Sequence, residues 1–144
     1  MNAVPFEPAG IDHVVLRVAD LPTALAFYET VLGCWLERAQ ENIGLWQLRA
    51  GSSLVDLVNV EGVVGRRGGP APARDGHNMD HVAIAIRPFD REALEAHLAA
   101  HGVEIEGGSE AKYGATGEAP SLTIRDPDGN MIELMGPGGG AGGK

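Results

Sequence analysis

The chain has 144 residues, the size of a single domain, and its 44% hydrophobic and 22% charged residues match an ordinary globular protein with a core. Its 11 Lys and Arg against 20 Asp and Glu give a net charge of −9, which repels nucleic acid and anionic membrane surfaces, so neither is expected as a partner. No apolar run is long enough to span a membrane, and the single Cys34 leaves no internal disulfide, so we expect a cytoplasmic location.

The two halves of the chain carry the same pattern. IDHVVLRV at 11–18 and MDHVAIAI at 79–86 both predict a strand, with Asp-His-Val in the same register. Apolar spacing then predicts a helix capped by Asp20 and ended by Gly33, and a second helix between Asp90 and Gly102. Short strands are expected after each helix, at 34–40, 43–50 and 53–59 in the first half and at 103–106, 120–126 and 130–135 in the second, with a long loop near 107–119.

This duplicated β-α-β-β-β order predicts an α+β fold, in which two paired modules share one domain and enclose a cleft. We expect module one at 10–60, a connecting loop at 61–78, module two at 79–136 and a flexible Gly-rich tail at 137–144. The loop arginines Arg66, Arg67 and Arg74 either face solvent or hold an anionic substrate, and the sequence favours solvent.

Two histidines and two carboxylates occupy matched positions in the repeat. Strand alternation places His13 and Asp56 on the polar face of module one, and His81 and Glu133 on that of module two. One histidine in a strand is more often a packed or surface residue than a ligand, but four such coincidences at equivalent places favour a metal site. Two imidazoles and two carboxylates suit one divalent ion, which could be Ni, Co, Mn, Fe or Zn, with two positions left for water or substrate.

The sequence resembles the vicinal-oxygen-chelate superfamily, which includes glyoxalase I, methylmalonyl-CoA epimerase, fosfomycin-resistance enzymes, extradiol dioxygenases and bleomycin-resistance proteins. The resemblance rests on residues 11–33, on 79–86 and on 121–135, where an Asp-Pro-Asp-Gly-Asn turn precedes Ile-Glu-Leu. It implies a glyoxalase-like fold of two paired βαβββ modules forming a half-barrel cleft. It also implies that the four matched residues bind the metal.

Within this superfamily the ligand pattern is most similar to that of glyoxalase I, with Asp56 in place of the first Glu. Arg17 matches the position of an arginine that contacts glutathione in those enzymes, whereas Val60 stands where an Asn is usual. The resemblance therefore implies a metal-dependent lyase or isomerase that chelates the oxygens of a small substrate, which could be a glutathione adduct. Such an enzyme stabilises an enediolate, and Glu133 would move a proton next to the carbonyl.

Two sets of alternatives stay open at this stage. The chain could be a non-catalytic metal-binding, small-molecule-binding or resistance protein of the same fold. It could also be another enzyme of the superfamily: an epimerase, a fosfomycin-type transferase or hydrolase, or a dioxygenase. We expect a homodimer, with each site formed either within one chain or across two.

Overall fold

The computed structural model describes Pro5 and residues 7–139. Eight strands and two α-helices follow the chain in the order β1 His13–Val18, α1 Leu21–Ala26, β2 Trp35–Gln40, β3 Leu45–Ala50, β4 Ser53–Asn59, β5 Val82–Ala85, α2 Arg91–Ala100, β6 Gly107–Gly114, β7 Gly117–Arg125 and β8 Met131–Met135. A π-helical turn, Phe27–Val31, continues α1, and short 3₁₀ turns occur at Glu41–Ile43 and Gly65–Gly68. Among these residues, no helix is long and apolar enough to cross a membrane.

The two modules have the same topology. Each forms a four-stranded sheet, in the order β1-β4-β3-β2 and β5-β8-β7-β6. The first and last strands of each module pair in parallel, and the other pairs are antiparallel. This confirms the predicted α+β fold of two βαβββ modules.

Both helices begin as the sequence predicts. The side chain of Asp20 accepts a hydrogen bond from the backbone N–H of Thr23, and Asp90 caps Ala93 in the same way. The first helix differs from the prediction beyond Ala26, where the regular α-helix gives way to the π-helical turn.

The prediction for the middle of module two was wrong. Residues 103–106 are not a strand, and the segment expected as a loop near 107–119 forms β6 and the start of β7. The extra length of module two therefore lies in a long β6–β7 hairpin, whose strands have 8 and 9 residues against 6 each for β2 and β3.

The beginning of the Gly-rich segment is packed rather than free. Gly136 donates its N–H to the Pro120 carbonyl, and Gly138 donates to the Thr116 hydroxyl. Both glycines are buried. Residues 140–144 lie outside the described residues, and the expected flexibility of the tail stays a prediction there.

One apolar cluster joins the two modules. Its buried members come from both sheets, from both helices, from the π-helical turn and from the residue before β2: Leu16, Val18, Ala24, Phe27, Tyr28, Cys34, Leu48, Val55, Leu57, Leu98, Leu122, Ile124, Ile132 and Leu134. The Tyr28 hydroxyl donates to Asp126 Oδ2 at 2.6 Å, and the Ala19 N–H donates to Asp128 Oδ1 at 2.8 Å. Module one is thus bonded to the turn that leads into β8. The sheet faces that do not enter this core carry the predicted ligands.

Candidate metal centre

Module one presents His13 and Asp56 through its parallel strand pair. Asp56 on β4 lies opposite Val15 on β1, two residues after His13. Because side chains alternate along a strand, residues two apart share a face, so His13 and Asp56 lie on the same side of the sheet. Val55 and Leu57, on either side of Asp56, point into the core instead.

Module two repeats this register. Glu133 on β8 lies opposite Ala83 on β5, two residues after His81. The two carboxylates also lie at the same depth, since Asp56 is 3% and Glu133 is 2% exposed. The duplication therefore preserves both the spacing and the burial of a histidine–carboxylate pair.

Each histidine is oriented by the residue before it. Asp12 Oδ1 lies 2.5 Å from His13 Nδ1, and Asp80 Oδ2 lies 2.7 Å from His81 Nδ1. A carboxylate accepts, so Nδ1 carries the proton and Nε2 keeps its lone pair, which is the arrangement that metal-binding histidines use. The sequence analysis did not assign this function to Asp12 and Asp80, although the repeated Asp-His dipeptide was the available signal.

The structure brings the four predicted ligands together as two pairs and not as a single group. His81 Nε2 lies 3.4 Å from Glu133 Oε1. Among the described residues of one chain, no three His, Cys, Asp or Glu side chains converge as a metal-binding group. The described chain therefore presents the candidate ligands as two separate pairs, one on each sheet, and we call each pair a candidate half-site.

In module one, burial and neighbouring carboxylates shift the pKa values of His13 and Asp56. The hydrogen bond that His13 donates to Asp12 and the charge of Asp56 raise the pKa of His13. Burial raises the pKa of Asp56, although Gln47 Nε2 donates to its Oδ2 at 3.2 Å. The other oxygen, Asp56 Oδ1, is buried and has no hydrogen-bond partner among the described residues.

The module-two carboxylate is affected in the opposite direction. Burial alone would raise the pKa of Glu133, but the Ser121 hydroxyl and the Lys112 ammonium outweigh it and hold the pKa below its usual range. Lys112 Nζ lies 3.1 Å from Glu133 Oε2. The structure thus places Lys112 on β6 beside the half-site.

These groups fit a divalent metal ion. Two atoms bound to one ion at about 2.1 Å each are at most roughly 4.2 Å apart, and His81 Nε2 and Glu133 Oε1 meet this condition. A buried carboxylate oxygen without a partner, Asp56 Oδ1, is costly unless something binds it. Both imidazoles offer Nε2, and the nitrogen–oxygen donor set suits a transition metal.

Arg17, the predicted substrate contact, is engaged with the connecting loop. Its Nε donates to the Gly65 carbonyl at 2.8 Å, and its two terminal nitrogens donate to the carbonyls of Gly69 and Pro70 at 2.5 and 3.0 Å. A Cβ on Gly68 would approach the guanidinium at 2.5 Å. In this structure Arg17 holds the loop in place, and its contact with a substrate stays a prediction.

Comparisons with known proteins agree with this architecture. A family profile described as the "Glyoxalase/Bleomycin resistance protein/Dioxygenase superfamily" matches residues 10–134. The chain is 35% identical over 125 residues to the virulence protein STM3117 of Salmonella typhimurium, which covers 86% of this chain and 81% of the relative. The crystal structure of STM3117 superposes with a TM-score of 0.72 at 29% identity, covering 92% of this chain and 99% of that one.

Two further relatives bear names that describe activities. A probable lactoylglutathione lyase of Vibrio cholerae is 30% identical, covering 85% of this chain and 87% of its own length. The metallothiol transferase FosB of Bacillus licheniformis is 28% identical, covering 87% of this chain and 73% of its own. With the family profile spanning both modules, these findings show that the chain belongs to the glyoxalase/bleomycin resistance protein/dioxygenase superfamily.

Proposed function

We propose that the protein is a metal-dependent lyase or isomerase of the glyoxalase I type, which moves a proton on the carbon next to a carbonyl group of a small substrate. The observation that carries the proposal is the matched pair of histidine and carboxylate, in identical register on the two sheets, with each Nδ1 bonded to an aspartate. A glutathione adduct is the substrate we favour, supported by the similarity to a probable lactoylglutathione lyase.

We propose further that the complete site forms between two copies of the chain. His13 and Asp56 of one subunit and His81 and Glu133 of the other would hold one ion, because the pairs do not converge within one chain. The face that carries His13 also exposes apolar side chains, with Val15 45% and Trp35 57% exposed. Such a face is expected to be covered by protein or substrate. When bound, the ion would supply a Lewis acid that polarises the substrate carbonyl.

The two carboxylates would have different functions. Asp56 has a short side chain and is restrained by the Gln47 amide, so it would anchor the ion. Glu133 is one methylene longer, which gives it the reach to accept a proton from the substrate carbon and return it to a neighbouring atom. The pKa of Glu133 is lowered, so this carboxylate is ionised at neutral pH, although the same shift makes it a weaker base.

A metal titration tests the site. We expect about one Ni, Co, Mn or Zn ion per wild-type chain, measured by calorimetry and elemental analysis. His81→Ala should lose more than the 10–100-fold in affinity that removal of an outer partner costs. His101→Ala is the matched control, because His97 on α2 and His101 directly after it form a second histidine pair, with ring centroids 4.7 Å apart. An unchanged affinity in His81→Ala would refute the metal centre.

Exchange of the proton next to the carbonyl with deuterated solvent tests the chemistry. Metal-loaded wild type should catalyse this exchange in a glutathione hemithioacetal, and Glu133→Gln should retain metal but lose nearly all exchange. Asp56→Asn should bind metal more weakly and recover activity at excess metal. Rescue of Glu133→Gln but not of Asp56→Asn would place the base on Asp56. Metal binding without exchange of any tested carbonyl compound would instead favour a binding or resistance protein.

A further inference from the structure

The described part of the chain contains a cavity that the proposed metal centre does not use. It has a volume of about 540 Å³ and lies between the connecting loop at 72–77 and the turn at 127–129 that joins β7 to β8. This volume lies within the range of about 300–1,000 Å³ that is typical of small-molecule sites. The groups that surround it define what it could bind.

Two arginines and one carboxylate are the charged side chains that line this cavity in the described chain. Arg74 and Arg125 both line it, together with His77, and Asp128 is the one carboxylate among its lining residues in the described chain. That carboxylate already accepts the Ala19 N–H at 2.8 Å. The cavity therefore brings two guanidinium groups together in a chain whose net charge is −9, and one of them, Arg125, is ion-paired with Glu106.

Both arginines have hydrogen-bonding capacity left. The Arg74 guanidinium makes no hydrogen bond or ion pair with the described residues, whereas its carbonyl accepts from His77 Nε2 at 3.0 Å. Arg125 donates from Nε to Glu106 and from Nη1 to the Gly129 carbonyl, at 3.0 and 2.9 Å. Its Nη2 group remains available. Guanidinium groups with free N–H donors are the usual partners of carboxylate and phosphate oxygens.

One residue that lines the cavity, Arg125, shares a sheet face with Glu133. On β7, Thr123 lies opposite Glu133, and Arg125 is two residues further along the same strand. Residues two apart in a strand share a face and are separated by about 6.5–7 Å, so Arg125 and Glu133 face the same side of the sheet. His77 and Arg74 also lie only four and seven residues before His81 in the chain. A ligand in the cavity can therefore extend to Glu133.

We propose that this cavity binds the anionic group, a carboxylate or a phosphate, of the substrate that reacts at the Glu133 half-site. Arg74 and Arg125 would bind the anion, and Arg125 would link the two subsites because it belongs to the sheet that carries Glu133. The substrate class is then a small carbonyl compound with a negative group roughly 7–10 Å from the reacting carbon, as the strand spacing indicates. This inference rests on the proposed function for the identity of the reacting site, but the anion site itself requires no metal.

The first test is a titration of the full chain with inorganic phosphate at low ionic strength in the presence of a chelator, followed by NMR chemical shifts. We expect saturable shifts at residues 72–77 and 125–129. Arg74→Ala should weaken the affinity about 5–10-fold and Arg74→Glu should abolish binding. Arg66→Ala is the matched control, because it removes an arginine of the same loop that lines a different cavity. Equal affinity in Arg74→Ala and wild type, or equal loss in Arg66→Ala, would overturn the proposal.

The second test measures substrate discrimination by the metal-loaded protein. A carbonyl compound with a remote carboxylate and its uncharged amide analogue are compared in the proton-exchange assay. Arg74→Ala should raise KM for the carboxylate about 10-fold and leave KM for the amide unchanged. If the protein catalyses exchange but Arg74→Ala changes KM for the carboxylate and the amide equally, the anion subsite is refuted and the proposed function stays intact. Phosphate binding at Arg74 in a chain that binds no metal would refute the proposed function and leave the anion site intact.

Discussion

At the scale of single residues, the metal-centre proposal depends on two exposed aspartates as much as on the buried carboxylates. Asp12 and Asp80 each fix the Nδ1 proton of the histidine that follows. Their side chains are about nine-tenths exposed, so they add little to the core. Removing one should therefore change ligand basicity and orientation without unfolding the chain.

Asp80→Ala should weaken metal binding about 10–100-fold, the usual cost of losing such a partner of a ligating histidine. A competition assay with a chromophoric chelator measures the affinity, and circular dichroism checks the fold. Asp75→Ala is the control, since this aspartate lies in the connecting loop. Equal affinities for the two variants would argue against orientation by Asp80.

Two buried proton donors make the fold sensitive to alkali. Cys34 is 4% exposed, and burial raises its pKa from 9.0 to about 11. Burial, together with the negative charge of Asp126, also raises the pKa of Tyr28. Both groups keep their protons in the folded chain at pH values where the unfolded chain releases them. The folded state therefore loses stability as pH rises.

We expect the free energy of unfolding to fall between pH 9 and 11 by about 2–3 kcal/mol from Cys34 alone. Urea unfolding at pH 8, 9, 10 and 11 gives this dependence. In Cys34→Ala the part of the slope due to the thiol should disappear, while the loss above pH 10 due to Tyr28 remains. Parallel pH profiles for wild type and Cys34→Ala would contradict the assignment.

At the scale of elements, most strands and both helices could be predicted because their apolar residues recur at the period of the structure. The β6 segment could not, because it lacks this alternation and begins with two glycines. The structure gives the reason at Gly108, where a Cβ would approach the Ser121 carbonyl oxygen at 2.6 Å. This strand requires a glycine facing β7, and a glycine in a sequence suggests a loop.

The false strand at 103–106 has an equally local cause. Val-Glu-Ile-Glu alternates as a strand does, but the Val103 N–H closes the end of α2 by donating to the Leu98 carbonyl. Ile105 is exposed and does not pack in the core. Four residues of alternating polarity are too few to distinguish a strand from a helix exit.

One position in the connecting loop, Gly65, has no room for a side chain. A Cβ at Gly65 would approach the Asn59 carbonyl oxygen at 1.9 Å, whereas one at Gly62 would meet the same oxygen at 3.3 Å. Gly65→Ala should therefore cost about 1–3 kcal/mol or more, and Gly62→Ala well under that. Urea unfolding of the two variants compares them directly. Similar losses would mean that the loop moves to accommodate the larger residue.

At the scale of the whole molecule, the sequence could predict that the four candidate ligands occupy matched positions, but not whether they converge. Repeat symmetry predicts equivalent positions in two modules, and the structure places the pairs at identical register. How the two sheets face each other depends on contacts between residues about a hundred positions apart, such as Tyr28 with Asp126, which no local pattern encodes. In the shared-site proposal, the two pairs would come together only when two subunits associate.

Mixing two inactive variants tests the shared site. In a His13→Ala and Glu133→Ala heterodimer, one of the two sites is fully wild type, so an equimolar exchanged mixture should recover about a quarter of wild-type activity. His13→Ala mixed with Asp56→Ala is the control, because both changes fall in module one and every site keeps a defect. No recovery in the first mixture would place each site within a single chain.

The hydrogen bond between Tyr28 and Asp126 can form only after both halves of the chain have been synthesised. The two residues are 98 positions apart, which at 5–20 residues per second corresponds to a delay of about 5–20 s. During this interval the first module has left the ribosome with an apolar face uncovered and a tyrosine hydroxyl without its acceptor. The first half of the nascent chain therefore keeps this apolar face exposed until Asp126 is synthesised, and a chain truncated before residue 126 would lack the acceptor for Tyr28 altogether.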